Sequence, residues 1–175
     1  MVGHISLAES MNDAAEYIPT LVEALHQSGV HQHVFVRNAT LAKRLAAVEG
    51  VDVGPIVHSP VMATCLMPKV DIVHVNEPPA GRSRLLLTLT RSIPYVLTHR
   101  GTTRLTGTPL LQAVYRRAAA VICQDDCEIA IVRHALPELR VEIIPELGGY
   151  KSARAHVRLY QNSQRMPIAG NKGIQ

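Results

Sequence analysis

The chain has 175 residues, of which 47% are hydrophobic and only 3% aromatic, with no Trp. This length supports one sizeable core but is short for two complete domains, and the core must be filled by Leu, Ile, Val and Ala. Such residues are typical of a parallel sheet buried on both faces, which favours an α/β class over an aromatic-rich β-sandwich.

The formal net charge is +4, and nine His add to the basic character in mild acid. This modest excess is compatible with a phosphate-bearing ligand, an anionic membrane surface or an ordinary solvated face. A nucleic-acid binder would interleave basic and aromatic residues on one element, and no segment does so. We therefore predict no nucleic-acid partner.

The cysteine pattern indicates a reducing compartment, because Cys65, Cys123 and Cys127 form no disulfide framework. No second cysteine pair completes a zinc site with Cys123 and Cys127, so we predict structural cysteines and no metal. The N-terminus lacks a signal-peptide pattern, and no apolar run approaches the roughly 20 residues of a membrane-spanning helix. We predict a cytoplasmic protein, with peripheral contact to the inner face of a membrane left open.

The first predicted strand is Val2–Leu7, and the polar loop after it contains Asn12 but no glycine. Dinucleotide and P-loop fingerprints need glycines so that the backbone can approach phosphate, and neither fingerprint is present. Apolar residues at helical spacing from Ala14 to Leu25 predict a helix that ends at Gly29. We expect Pro19 to kink this helix or to delay its start.

Two further strands, His33–Arg37 and Val51–Val57, flank a short helix over Ala39–Val48. The connector His58–Met67 carries no clear pattern and is left unassigned.

The central stretch predicts a βαβ unit, with strands Asp71–Val75 and Pro94–Thr98 joined by a helical segment. Sheets built from such units place ligands beyond the carboxyl ends of their strands. The polar residues directly after the two strands are therefore the candidate site residues: Asn76, Glu77, His99 and Arg100.

The last third alternates helix and strand in the same way. The predicted elements are a helix from Thr108-Pro109, strand Ala119–Gln124, helix Cys127–Ala135 and strand Val141–Ile144. Asp125 and Glu128 have the spacing of a capping box, and we interpret these acids as helix caps rather than as a catalytic pair.

About seven strands alternating with helices predict a doubly wound, mostly parallel, Rossmann-like sheet with helices on both faces. We assign residues 1–148 to this domain and 149–175 to a tail. The tail contains a basic, weakly amphipathic helix over about 151–164, followed by a loose end. Val157 and Tyr160 should pack on the domain, with the cationic side chains outward: Lys151, Arg154 and Arg158.

Two strand ends carry a resemblance to a known family. The segments DIVHVNEP (71–78) and IPYVLTHRG (93–101), followed by Ala118–Gln124 and Val141–Pro145, resemble the N-terminal, acceptor-side domain of GT-B glycosyltransferases of the family-4 type. The resemblance covers most of residues 1–148. It implies transfer of a sugar from a nucleotide-sugar to an acceptor, across a cleft between two Rossmann-like domains.

The same resemblance implies roles for the candidate residues. His99 matches the family histidine that reaches toward the donor sugar and is the predicted catalytic residue, and Glu77 would lie at the acceptor side of the cleft. Asn76, Arg100 and Asn12 are further candidates for substrate binding. A neutral imidazole and a guanidinium can stabilise an oxocarbenium-like centre and a departing diphosphate. Without the resemblance, spacing favours His99 as a strand cap or a partner of a backbone carbonyl.

The chain also departs from the family. The loop after the first strand lacks the usual glycine pair, and the sequence stops where the donor domain would begin, while His156–Gln161 looks like the terminal helix that returns to the N-terminal domain. The resemblance thus implies a separate donor-domain chain as partner and a sugar or lipid-linked acceptor. It implies no bound cofactor, with nucleotide-sugar as a co-substrate.

Two alternatives stay open from the sequence. In the first, the chain is a catalytically inactive glycosyltransferase-like module used for binding or scaffolding instead of an enzyme domain. In the second, it is an unrelated small-ligand α/β domain. The second alternative holds if the likeness is superficial, because fold by itself says little about function.

Overall fold

The computed structural model of the protein describes residues 1–7, 14–76, 93–100, 105, 109–145 and 149–165. Its strands, in chain order, are β1 Val2–Ser6, β2 Gln32–Val36, β3 Val51–Val53, β4 Ile72–Asn76, β5 Tyr95–Thr98, β6 Ala120–Cys123 and β7 Val141–Ile143. Within the described residues these seven strands form one parallel sheet, in the order β3-β2-β1-β4-β5-β6-β7. The predicted Rossmann-like α/β class is confirmed.

Helices cover both faces of this sheet. They are α1 Ala14–Gln27, α2 Ala39–Ala46, α3 Pro60–Leu66, α4 Pro109–Arg117, α5 Asp126–Ala135 and α6 Gly149–Gln164. Successive strand residues point to opposite faces, so each strand contributes to two cores. One core packs the sheet against α1, α2 and α6, and the other packs it against α4 and α5.

Pro19 lies inside helix α1, which rules out a delayed start, one of the two effects predicted for it. The helix begins at Ala14 and continues through Pro19 to Gln27. Ile18 and Leu21, on either side of the proline, are almost fully buried in the core. Tertiary packing of an apolar face supplies most of the stability of a helix in a protein, and here it offsets the lost backbone hydrogen bond.

Two other local predictions need correction. Strand β3 ends at Val53 rather than Val57, and the unassigned connector contains helix α3. Short elements of three to seven residues carry too few periodic positions for the sequence pattern to define them. The helical segment predicted between the central strands falls in 77–92, outside the described residues.

The capping interpretation of the acids before α5 is confirmed. The Asp125 carboxylate accepts a hydrogen bond from the Glu128 N–H at 2.8 Å, and the Glu128 carboxylate accepts one from the Gln124 N–H at 2.7 Å. Both acids therefore satisfy backbone donors at the helix start, which is the stabilising role expected of them.

Helix α6 packs on the domain as predicted. Tyr160 is 3% exposed and Val157 is half-buried against the core, while the three predicted outward cations are exposed: Lys151, Arg154 and Arg158. The division into a domain over 1–148 and a tail over 149–175 stays a prediction.

Candidate functional site

The carboxyl edge of β1, β4 and β5 gathers polar side chains into one row. Parallel pairing sets Ser6 of β1 beside Asn76 of β4, and Asn76 beside Thr98 of β5. From β1 the chain continues to β2 on one side of the sheet and later returns to β4 on the other side. The crevice at such a reversal of strand order is where open α/β sheets bind ligands.

The side chains of Ser6 and Asn76 are buried, and neither has a hydrogen-bond partner in the described part of the chain. Ser6 is 2% exposed and Asn76 is 1% exposed. Among the described residues, no group bonds to the Ser6 hydroxyl or to either polar atom of the Asn76 amide. Such groups are rare in folded proteins, and each costs about 1–3 kcal/mol when left unpaired.

Arg100 brings a positive charge to the same side of the sheet. It follows β5 by two residues, and its guanidinium carbon lies 4.4 Å from the centroid of the Tyr17 ring on α1. A cation over an aromatic face is attracted by the ring quadrupole, and partial burial strengthens the attraction. Tyr17 therefore serves as a platform for Arg100.

Tyr17 is in turn bonded to helix α6. Its hydroxyl lies 3.2 Å from His156 Nε2, and His156 Nδ1 lies 2.8 Å from the Ser152 carbonyl oxygen. A carbonyl oxygen only accepts, so Nδ1 carries the proton and Nε2 has the lone pair. The Tyr17 hydroxyl consequently donates to His156.

A second bonded chain enters the core from Thr98. The Thr98 hydroxyl lies 2.7 Å from His74 Nε2, and His74 Nδ1 lies 2.7 Å from the Tyr160 hydroxyl on α6. The His74 ring also packs beside His4 of β1 and His156, with ring centroids 5.3 Å and 5.6 Å apart. The polar row at the edge thus continues inward as a buried histidine cluster, His4, His74 and His156.

All three imidazoles of the histidine cluster are held neutral at physiological pH. Burial, with a contribution from the neighbouring His156, lowers the pKa of His4 to about 3, and burial lowers the pKa of His156 to about 4. Burial also moves the pKa of His74 well below its usual range, and His4, His156 and Arg100 add to this effect. Neutral imidazoles offer both a donor and an acceptor, so they can support a hydrogen-bond network without adding charge.

His99 lies on the other face of the sheet. It is fully buried, its N–H continues the ladder to Ile122, and its Nδ1 lies 2.7 Å from the Tyr115 hydroxyl on α4. Burial lowers the pKa of His99 to about 4. Its Nε2 is shielded and has no partner among the described residues. These contacts tie His99 to the core around α4.

The five residues predicted for the site therefore separate. Asn76 and Arg100 lie on the face that α1 and α6 cover, and His99 lies on the opposite face. Glu77 and Asn12 fall outside the described residues. Nothing in the structure tests the catalytic or binding roles that the sequence predicted for these five.

Sequence reasoning missed the histidine cluster and the hydrogen bonds that join it to Tyr17 and Tyr160. The one available signal is a histidine inside an apolar, β-branched strand, as at His74. A buried imidazole at such a position needs polar partners, so its presence predicts a polar network, although not the residues that form it.

The cysteines and the acids give no metal site within the described ranges. No group of three or more His, Cys, Asp or Glu side chains there is arranged to hold a metal ion. Cys123 is buried and Cys127 is exposed, and burial, with Glu128 and Asp125 nearby, raises the pKa of Cys123 to about 12. A thiol with such a pKa is unreactive at neutral pH. None of the described helices has the length and apolar character needed to cross a membrane.

Comparisons with known proteins place the chain in no family. No family model and no curated protein matches it. Among solved structures, it is similar to an imine reductase from Myxococcus stipitatus, a V8 variant in complex with NAD+. The sequence identity is 19% and the TM-score 0.42, and the match covers 92% of this chain but only 60% of the reductase chain.

The predicted glycosyltransferase function is contradicted, since a solved structure similar to this chain is a reductase, and we do not retain it. The predicted catalytic role of His99 depended on that function and is not carried forward. A TM-score this low at 19% identity transfers no activity to this chain, so the reductase function is not adopted either. The assignment of function below rests on the geometry of the edge.

Proposed function

We propose that this chain is a small-ligand-binding α/β domain, with its ligand at the carboxyl edge of β1, β4 and β5. The observation that carries the proposal is the set of three buried, unpaired polar atoms on Ser6 and Asn76, counted over the described residues. They lie where the strand order reverses, which is the preferred ligand position in open α/β sheets. A ligand with complementary groups would offset the cost of burying them.

The donor set supports a class of ligand. The Ser6 hydroxyl and the Asn76 amide can both donate and accept, whereas the Arg100 guanidinium only donates. The ligand should therefore present an acceptor oxygen to Arg100 and carry at least one hydroxyl or amide group for Asn76. The histidine cluster adds no charge, because its members are neutral.

A phosphate-centred ligand has less support. Close phosphate binding uses backbone N–H groups in a glycine-containing loop, and the segment AESMND after β1 has no glycine. We therefore propose a small hydroxycarboxylate or a similarly polar compound rather than a nucleotide.

Calorimetry against malate, citrate, serine, AMP, NAD+ and inorganic phosphate tests the proposal. We expect malate or citrate to bind, and Ser6→Ala to weaken that binding about five- to tenfold, as loss of one good hydrogen bond implies. Ser163→Ala is the matched control, because Ser163 is also buried with a hydroxyl that lacks a partner among the described residues, but lies in the last turn of α6.

Three outcomes would count against the proposal. Binding of none of the six compounds is one, and equal binding by wild type, Ser6→Ala and Asn76→Ala is another. A preference for AMP or NAD+ would replace the ligand class with a nucleotide. A crystal structure in malate that shows only ordered water on Ser6 and Asn76 would give these atoms a structural role instead.

A further inference from the structure

We infer that helix α6 positions the Arg100 guanidinium through Tyr17, which makes Tyr17 and His156 positioning residues of the candidate site. The consequence of this positioning for ligand binding rests on the proposed function, whereas the contacts that support the positioning involve no ligand. Helix α6 would then be a component of the site and not only a cover for the sheet.

The first step is the platform under Arg100. An Arg side chain has several rotatable bonds, and ordering such a side chain costs about 1.5–2 kcal/mol in lost rotamer freedom. The Tyr17 ring, 5% exposed and 4.4 Å from the guanidinium carbon, supplies an attractive surface that limits this freedom. The orientation of Arg100 therefore depends on where the Tyr17 ring lies.

The second step is what holds the ring. Tyr17 donates its hydroxyl proton to His156 Nε2, and the Ser152 carbonyl fixes His156 as the tautomer that can accept it. The three residues give a directed chain, from α6 through Tyr17 to the charge beside the edge. Tyr17 and His156 are 139 positions apart in sequence, so only the docking of α6 brings them together.

The third step is the protonation state of His156. Its ring packs beside His74 and Tyr160, which are bonded to Thr98 and to each other. Burial keeps the pKa of His156 at about 4, so its Nε2 stays an acceptor across the physiological range. The Tyr17 hydroxyl thus has a fixed acceptor at neutral pH.

The test measures the order of Arg100 directly, without a ligand. The Arg100 Nε is shielded from solvent, so its N–H should give an observable NMR signal, assigned by its loss in Arg100→Lys. We expect an ordered guanidinium in wild type and a clear fall in the ¹H–¹⁵N NOE of Nε in Tyr17→Phe and in His156→Leu. Tyr17→Phe keeps the ring and the packing and removes only the hydroxyl. Ser163→Ala is the matched control, because it removes a buried α6 hydroxyl that is bonded to neither Tyr17 nor His156 among the described residues.

A binding arm then separates this inference from the proposed function. With malate as the probe, we expect the dissociation constant to rise about three- to tenfold in Tyr17→Phe and His156→Leu, and to stay unchanged in Ser163→Ala. An Arg100 N–H that is equally ordered in Tyr17→Phe, His156→Leu and wild type would overturn the inference, whatever malate does. If Arg100 loses order in Tyr17→Phe and His156→Leu but wild type does not bind malate, the result supports the positioning of Arg100 and counts against the proposed ligand class.

Discussion

His74 and Tyr160 join the fourth strand of the sheet to its last helix, through a hydrogen bond of 2.7 Å between the imidazole Nδ1 and the phenol oxygen. The two residues are 86 positions apart in sequence, and both are buried. The opposite nitrogen of the same ring is bonded to Thr98, so this imidazole has both of its nitrogens satisfied inside the core. The bond therefore adds a specific polar contact to the apolar packing that docks α6 on the sheet.

Tyr160→Phe should lower the free energy of unfolding by about 1–3 kcal/mol, because it leaves a buried nitrogen of His74 without a partner. Urea unfolding followed by circular dichroism measures this change. Arg158→Ala is the control on the same helix, since Arg158 is exposed and should change stability by no more than about 0.5 kcal/mol. Equal stability of Tyr160→Phe and wild type would show that the bond contributes nothing net.

The histidine cluster predicts a loss of stability in acid. The folded-state pKa of His156 is about 4 against an ordinary value of 6.5, so the unfolded chain takes up protons first as the pH falls. The associated stability is complete above about pH 6.5 and is lost progressively toward pH 4, a difference of about 3 kcal/mol for this residue. The described groups around His156 are the side chains of His4, His74, Tyr17, Tyr160 and Ser152, and none of them is a carboxylate that could compensate the charge.

Urea unfolding of wild type and His156→Leu at pH 4.5, 5.5 and 7 measures this dependence. We expect the wild type to lose more stability between pH 7 and 4.5 than the variant, because the variant lacks the imidazole at position 156 and keeps only those of His4 and His74 in the cluster. Comparison of the two proteins removes the contribution of the surface carboxylates, which titrate alike in both. Parallel pH profiles would contradict the assignment of a neutral, buried imidazole to position 156.

His99→Ala should destabilise the protein by at least about 2 kcal/mol. The side chain is fully buried, and its removal leaves both a cavity and an unpaired hydroxyl on Tyr115. Thermal unfolding measures the loss, with Tyr115→Phe as a partner variant that removes the same hydrogen bond without a cavity. A melting temperature equal to wild type in His99→Ala would show that His99 lies at a solvated cleft instead of in the core.

Asp125→Ala should lower the free energy of unfolding by about 1 kcal/mol, within the roughly 0.5–2 kcal/mol range measured for lost N-caps. The carboxylate accepts from the Glu128 N–H at the start of α5, and alanine offers no acceptor. Asp125→Asn is the matched control, because its amide oxygen can make the same bond. Equal losses in the two variants would attribute the effect to charge rather than to capping.

Local physical chemistry was enough to predict much of this fold. Short, mostly apolar runs define the strands, Asp125 and Glu128 define a helix start, and the carboxyl ends of β4 and β5 define a polar edge. Each of these features depends on neighbours a few positions away, which is the range over which sequence patterns carry information. The resemblance to glycosyltransferases also depended on short segments at two strand ends, and the function that it implied was contradicted.

Only the tertiary structure decided which polar residues meet. Strand register sets His4 beside His74 and Ser6 beside Asn76, and the docking of α6 adds His156 and Tyr160 from the far end of the chain. Register and docking are fixed by the burial of many apolar side chains at once, so no local pattern determines them. His99 and Arg100 point to opposite sides because successive residues of an extended chain alternate, and the tertiary structure decided that α4 covers His99 while α1 packs at Arg100.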